Sequence, residues 1–322
     1  MAAGLECKRC EKKKKEMNTR AQIRWLPDGH RLHLHDGPID LIVEAFGAEV
    51  EVQAAYHAAC QRFTTILDEL CIELPFLRTA LPRVAQNANS EDGPYPRGAV
   101  ARRMTAATLP YAAQHFITPM AAVAGAVADE ILTTMTAAAQ LARAYVNDGG
   151  DIALHLSPSQ KFVVGMVQRP DRPSLFGTTI LEFSQPVRGI ATSGWRGRSF
   201  SLGIADAVTV LADRAATADA AATIIANAVD LPGHPRILRV PARDLAPDSD
   251  LGEIPVTQAV GELTPTEIDE ALTKGAATAE SLRQQKLIHA AALCLCGETR
   301  VVGGVRDVAQ IVPSHEGSLV HA

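Results

Sequence analysis

Aromatic residues are scarce, with two Trp, four Tyr and eight Phe in 322 residues. Proteins that bind single-stranded nucleic acid stack successive bases on aromatic side chains along a cationic groove. Here the net charge is −5 and the basic residues are scattered apart from one lysine run near the start, so no nucleic-acid partner is expected. Cysteine is also sparse. The six thiols, at positions 7, 10, 60, 71, 294 and 296, are too dispersed for a disulfide framework, and the opening residues lack the apolar segment of a signal peptide. Reduced thiols and a cytoplasmic location are the expectation. Long apolar runs are missing as well. The most apolar stretch, residues 116–128, meets Asp129-Glu130 before reaching the roughly 20 residues that a membrane span needs.

What the chain does have is alanine, which dominates a hydrophobic fraction of 47% and suits helices packed tightly on a sheet. Residues 1–19 form a polar extension, in which Cys7 and Cys10 have the spacing of half a zinc site; a structural site needs four ligands, so a disordered tail is the simpler reading. A meander of short strands follows at 23–26, 31–35 and 39–44. His30, His33 and His35 cluster there, but without a carboxylate at metal spacing they read as solvated or edge residues. Apolar residues at three- and four-residue intervals from Tyr56 to Leu70 predict a helix over 51–74, ended by Pro75. Residues 79–98 are loop-like, and their Arg97, with Arg102 and Arg103 just beyond, are solvated or meet an anion. A second helix is predicted from 119 to about 144.

Residues 144–156 predict a hairpin through the turn Asn147-Asp148-Gly149-Gly150-Asp151. The alternative is that the two glycines let backbone N–H groups reach a phosphate. Further strands at 162–168 and 178–183 give a strand-rich chain with long helices, not alternating βαβ units. That pattern predicts an α+β fold, a mixed or antiparallel sheet packed on long Ala-rich helices. A polar loop is predicted from 230 to 250, then a helix to about 287 opened by Thr264-Pro265-Thr266-Glu267, and a closing hairpin with its turn at 297–299.

The densest chemistry lies at 189–229. A β-branched run ends at Ser193-Gly194, a second strand follows at 207–211, and an alanine-rich helix starts at Ala215. Within that helix Asp219 and Thr223 are one turn apart, which stacks a carboxylate and a hydroxyl on one face. Magnesium favours such hard oxygens and sits between one or two carboxylates and substrate phosphates. Ser193, Gly194, Asp206, Asp219 and Thr223, with residues 147–151 as a partner loop, are the candidates; an Asp and a Thr four apart also occur on many solvated helices.

Four segments in order resemble an uncharacterised branch of the ApbE-like superfamily, whose members include magnesium-dependent FAD:protein FMN transferases. Residues 122–129 (AVAGAVAD) resemble its glycine-bearing helix ending in Asp, and 144–151 (AYVNDGGD) its strand and GGD loop. Residues 191–194 (ATSG) resemble its SG segment, and 218–223 (ADAAAT) its metal-binding D-x-x-x-T helix. The resemblance covers most of residues 23–304. It implies an ApbE-like domain over 20–304, between an N-terminal extension at 1–19 and a C-terminal tail at 305–322. It also implies Mg²⁺ on Asp219 and Thr223, and FAD or FMN held by Asn147, Gly149, Gly150, Asp151, Ser193 and Gly194. Two departures stand out. Ala124 occupies the place of a lysine, and residues 198–206 (RSFSLGIAD) replace a histidine-containing segment. The resemblance therefore implies either Mg-dependent binding or transfer chemistry on FAD or a related nucleotide diphosphate, with a flavoprotein as acceptor, or a non-catalytic flavin- or ligand-binding accessory protein for a partner enzyme. The Ala-rich helices make a homodimer a further expectation.

Overall fold

In a computed structural model the described residues are 20–81, 96–167, 175–303 and 320–321. Nine strands form one antiparallel sheet in the order β1 (Gln22–Trp25), β2 (Leu32–Asp36), β3 (Ile39–Phe46), β4 (Arg143–Asp148), β5 (Asp151–Leu156), β8 (Gly189–Ser193), β9 (Ala207–Ala212), β12 (Ala290–Leu295) and β13 (Glu298–Val302). In β2 and β3 buried and half-buried residues alternate, as strands with one face in the core must. That face is covered by α1 (Glu49–Leu77), α2 (Ala99–Thr108), α3 (Val123–Ala138), α4 (Ala215–Ala228) and α6 (Pro265–Gln284). A hairpin of β6 (Lys161–Val167) and β7 (Leu175–Glu182) packs Phe162, Val164 and Leu181 on the opposite face, against Tyr145, Leu154 and Ile190. The strand β14 (Val320–His321) pairs parallel with β6. The architecture is α+β, as expected.

Helix α4 lies against β8 and β9 and buries seven alanines with Ile224 and Ile225. One buried alanine methyl contributes only about 0.8 kcal/mol. The helix is held less by any single side chain than by the close approach its small residues permit. Gly125 of α3 shows how close: a Cβ there would stand 2.4 Å from the Ala215 carbonyl oxygen.

Several sequence expectations are corrected. Pro75 lies inside α1, which continues to Leu77. Proline removes the bond to the carbonyl of Cys71, an exposed residue whose carbonyl water can satisfy. The second helix ends at Ala138, where Ala139 turns extended, and residues 143–148 belong to β4. Residues 99–108, unassigned from sequence, are helical. The predicted loop 230–250 contains β10 (Ile237–Pro241) and α5 (Ala242–Leu245); β10 pairs with β11 (Pro255–Val260) in a two-stranded sheet bounded by prolines. The last hairpin turns at Cys296 and Gly297, both at positive φ, so Glu298 and Thr299 are already in β13. At Thr264 the predicted capping box is present in full. The segment Pro119–Ala138 is long and apolar enough to cross a membrane by length and composition, with 56% of it buried inside the fold. Cys7 and Cys10, both tails except 320–321, and most of the 79–98 loop lie outside the described residues.

Candidate functional site

The β4–β5 hairpin closes on two residues, Gly149 and Gly150, at φ 64° and 115°. Both values lie where a Cβ is strained, which is why glycine occupies them. The Gly150 N–H donates to Asn147 Oδ1 at 2.8 Å, so Asn147 fixes the turn. The hairpin reading of these residues holds, and the same turn faces a cleft. Strand alternation sends the cross-strand pair Asp148 and Asp151 to the helix-covered face and Asn147 to the other. Asp151 Oδ1 also accepts the Thr192 N–H at 3.2 Å, tying the turn to β8.

Helix α4 brings a stripe of polar residues to this turn. Asp219, Thr223 and Asn227 are spaced by four and are half-buried, while their neighbours on α4 are mostly buried alanine and isoleucine. Asp219 Oδ2 accepts the Gly125 N–H at 3.1 Å from the first turn of α3, where backbone donors are unused by the helix. The Thr223 hydroxyl makes no hydrogen bond among the described residues. By contrast, Thr133, Thr134 and Thr136 of α3 each donate to the carbonyl four residues earlier. Asn227 Oδ1 accepts the Leu202 N–H at 2.9 Å and anchors the loop after β8.

These residues surround a cleft of about 950 Å³. The eight residues that the resemblance assigned to metal and flavin all line it: Asn147, Gly149, Gly150, Asp151, Ser193, Gly194, Asp219 and Thr223. Its apolar wall includes Phe116, Met120 and Phe200. Its polar wall concentrates negative charge. Burial, and then the neighbouring Asp151, push Asp148 up to about 8. Burial first, then Asp219, raises Asp151 well above the ordinary carboxylate range. Burial also pushes Asp219 up to about 7, with the Gly125 and Ala124 N–H groups pulling the other way. Carboxylates held together in a poorly solvated place favour a proton or a cation.

Among the described residues no three His, Cys, Asp or Glu side chains form a ready-made metal cage. The donors present are the Asp219 carboxylate and the free Thr223 hydroxyl. That is a hard-oxygen pair open on one side, and it fits magnesium, which keeps several waters and shares its remaining positions with phosphates.

The remaining candidates are committed to partners of their own. Asp206 is buried and committed: its carboxylate accepts from Arg196 Nε at 2.5 Å, from Trp195 Nε1 at 3.2 Å and from the Cys296 N–H at 2.6 Å. Its role is to clamp the loop after Gly194 to the β12–β13 turn, not to do chemistry in the cleft. His33, read from the sequence as solvated or at an edge, is instead half-buried on β2 between β1 and β3 and lines the cleft, accepting from Arg24 and pairing with Asp40 across the strands. Arg103 pairs with Glu130 at 3.1 Å and Arg102 caps the Arg97 carbonyl, so neither reaches the cleft. Sequence reasoning passed over Asn227, one more turn along the Asp219–Thr223 face, which continuing the four-residue count would have found. Asp148, within the quoted turn, and Arg198, noted only as a departure, were left out of the binding set as well.

A family model described as AbpE bacteria matches residues 23–301. The UPF0280 protein of Methanopyrus kandleri is 42% identical over 129 residues, 40% of this chain and 48% of that protein. The UPF0280 protein of Methanocella arvoryzae is 34% identical over 212 residues, 64% of this chain and 77% of its own length. The chain spans about half the length of most of the curated relatives it matches, as with 43% for the UPF0280 protein of Methanothermobacter thermautotrophicus. Among solved structures, the ApbE protein of Thermotoga maritima aligns at 13% identity with a TM-score of 0.44, covering 87% of this chain and 96% of that one. Flavinyl transferase ApbE of Pseudomonas stutzeri aligns at 13% identity with a TM-score of 0.41, covering 89% and 95%.

Proposed function

The chain belongs to the AbpE bacteria family, and from that premise we propose that its cleft is a magnesium-dependent site for FAD or a related nucleotide diphosphate. The observation that carries this reading is the Thr223 hydroxyl, without a hydrogen-bond partner among the described residues, one turn from Asp219 in the same cleft as the Gly149–Gly150 turn. Asp219 and Thr223 would hold Mg²⁺, which when bound neutralises charge on phosphate oxygens. Asp148 and Asp151 line the same cleft and would add negative charge there once ionised. Asn147 keeps the turn in place, and Ser193 and Gly194 line the same cleft at the end of β8. At about 950 Å³ the cleft is at the upper end of ligand-pocket sizes, room enough for a dinucleotide. The protein acts in the cytoplasm, alone or as a homodimer, on a flavin nucleotide and a partner flavoprotein.

The test is incubation with FAD and Mg²⁺ in the presence of candidate flavoproteins. Release of AMP with FMN left attached to protein is the expected result. Neither product from any acceptor would remove the transfer reaction.

One observation favours a second reading, a ligand-binding accessory protein without turnover. Ala124 leaves no lysine at the helix start, and Asp206, which ends the altered segment, is locked in its own ion pair. Neither residue is available to move a proton in the cleft. Stoichiometric FAD binding with no AMP release would select this reading.

A further inference from the structure

Among the described residues three arginines line the cleft, and two are spent. Arg24 Nε donates to His33 Nδ1 at 2.8 Å, and Arg196 pairs with Asp206 while lying 4.2 Å over the Trp195 ring. Arg198 makes no hydrogen bond and no ion pair among the described residues. Its guanidinium is nevertheless placed. A Cβ added to Gly149 would stand 3.4 Å from Arg198 Cζ and Nη2, in van der Waals contact, so the planar group lies directly over the glycine turn. The loop that carries it is pinned at its base by the Trp195 N–H to Ala205 O bond, at 3.0 Å, and by the Asp206 clamp. From there Arg198 acts electrostatically on Asp148 and Asp151, favouring their ionised forms, while staying beyond ion-pair distance of both.

We propose that Arg198 is the phosphate-recognising residue of the cleft, its guanidinium taking the phosphoryl oxygens of a diphosphate ligand over the Gly149–Gly150 turn. The proposal rests on the nucleotide-diphosphate reading of the site. A guanidinium presents a rigid fork of donors that matches two phosphoryl oxygens at once. Held near carboxylates but bonded to none, it keeps those donors for an incoming anion. It also returns to the cleft, from a different loop, the positive charge missing at Ala124. Phosphate would then be gripped from two sides, by Arg198 over the turn and by the metal on Asp219 and Thr223.

Calorimetric titration of the full chain with inorganic pyrophosphate in excess Mg²⁺, beside titration with Mg²⁺ alone, tests the proposal. Arg198→Gln should weaken pyrophosphate binding at least tenfold, change Mg²⁺ affinity far less than that, and leave the thermal midpoint nearly unchanged, since the Arg198 side chain is exposed and makes no hydrogen bond or ion pair among the described residues. Arg198→Lys should recover part of the loss. The proposal is overturned if Arg198→Gln binds pyrophosphate as tightly as the parent protein, if malonate binds as well as pyrophosphate, or if the parent protein binds Mg²⁺ but no pyrophosphate. In the last case the metal site of the proposed function survives without Arg198's role. A parent protein that binds neither Mg²⁺ nor pyrophosphate removes both.

Discussion

Asp129 and Asp219 each cap the other's helix. Asp129 on α3 accepts the Ala215 and Ala216 N–H groups at 3.1 and 3.0 Å, which open α4. Asp219 on α4 accepts the Gly125 N–H in the first turn of α3 at 3.1 Å. Helix starts expose unused donors and a partial positive charge, so each carboxylate satisfies groups its own helix does not reach. The reciprocal arrangement fixes where the Asp219 carboxylate stands relative to α3. Asp129→Ala would orphan two buried N–H groups, which costs roughly 1–3 kcal/mol. A lowered urea midpoint is the expected result, together with weaker Mg²⁺ binding through the displaced Asp219.

Gly125 lets the two helix starts meet. Because a Cβ would stand 2.4 Å from a backbone oxygen that cannot swing away, Gly125→Ala forces α3 and α4 apart. Overpacking of this kind costs roughly 1–3 kcal/mol. Chemical denaturation should show that loss, although alanine is ordinarily the better helix former; a midpoint equal to or above that of the parent protein would contradict it.

The cleft carboxylates set a pH dependence with a definite sign. Asp148 titrates near 8 in the folded protein against an ordinary 3.8. A carboxyl raised on folding binds its proton more tightly in the native state, so its contribution to stability is full below the ordinary value and is lost as pH rises towards 8. Asp148→Asn, which cannot ionise, should therefore gain stability over the parent protein between pH 5 and 9 and gain nothing near pH 3, measured as urea midpoints without metal. Metal ligation needs ionised carboxylates, so Mg²⁺ affinity should climb as pH rises through about 7, where Asp219 titrates.

Thr223→Val keeps the shape of the side chain and removes its hydroxyl. No partner among the described residues loses a bond, so stability should change by less than about 0.5 kcal/mol. Mg²⁺ affinity should fall severalfold. Unchanged affinity would show that the hydroxyl is not a ligand.

The meander, the GG hairpin and the Thr264 capping box were legible because their signals are local: alternation, two adjacent glycines, and a Thr with a Glu three residues on. The β10–β11 pair was not, because its short strands carry Pro241 and Pro255 and owe their order to pairing between residues 14–23 positions apart. The extent of α1 was missed because Pro75 falls in its last turn, where the lost bond is cheap. In the site, the face shared by Asp219 and Thr223 followed from helical periodicity alone. The commitment of Asp206 could not be read that way, since Arg196 and Cys296 meet it only through the packing of the loop after β8 against the β12–β13 turn. Arg198 was hidden for the same reason. Its place over Gly149 joins two loops about 50 residues apart, and no spacing rule links them.

FAD titration followed by flavin fluorescence, run with Mg²⁺ and again with the metal chelated, tests the central claim most directly. The predicted result is one FAD bound per chain, with affinity falling at least tenfold on chelation and falling equally in Asp219→Asn with Mg²⁺ present. No FAD binding, or binding that neither chelation nor Asp219→Asn weakens, would contradict a magnesium-dependent nucleotide site built on Asp219.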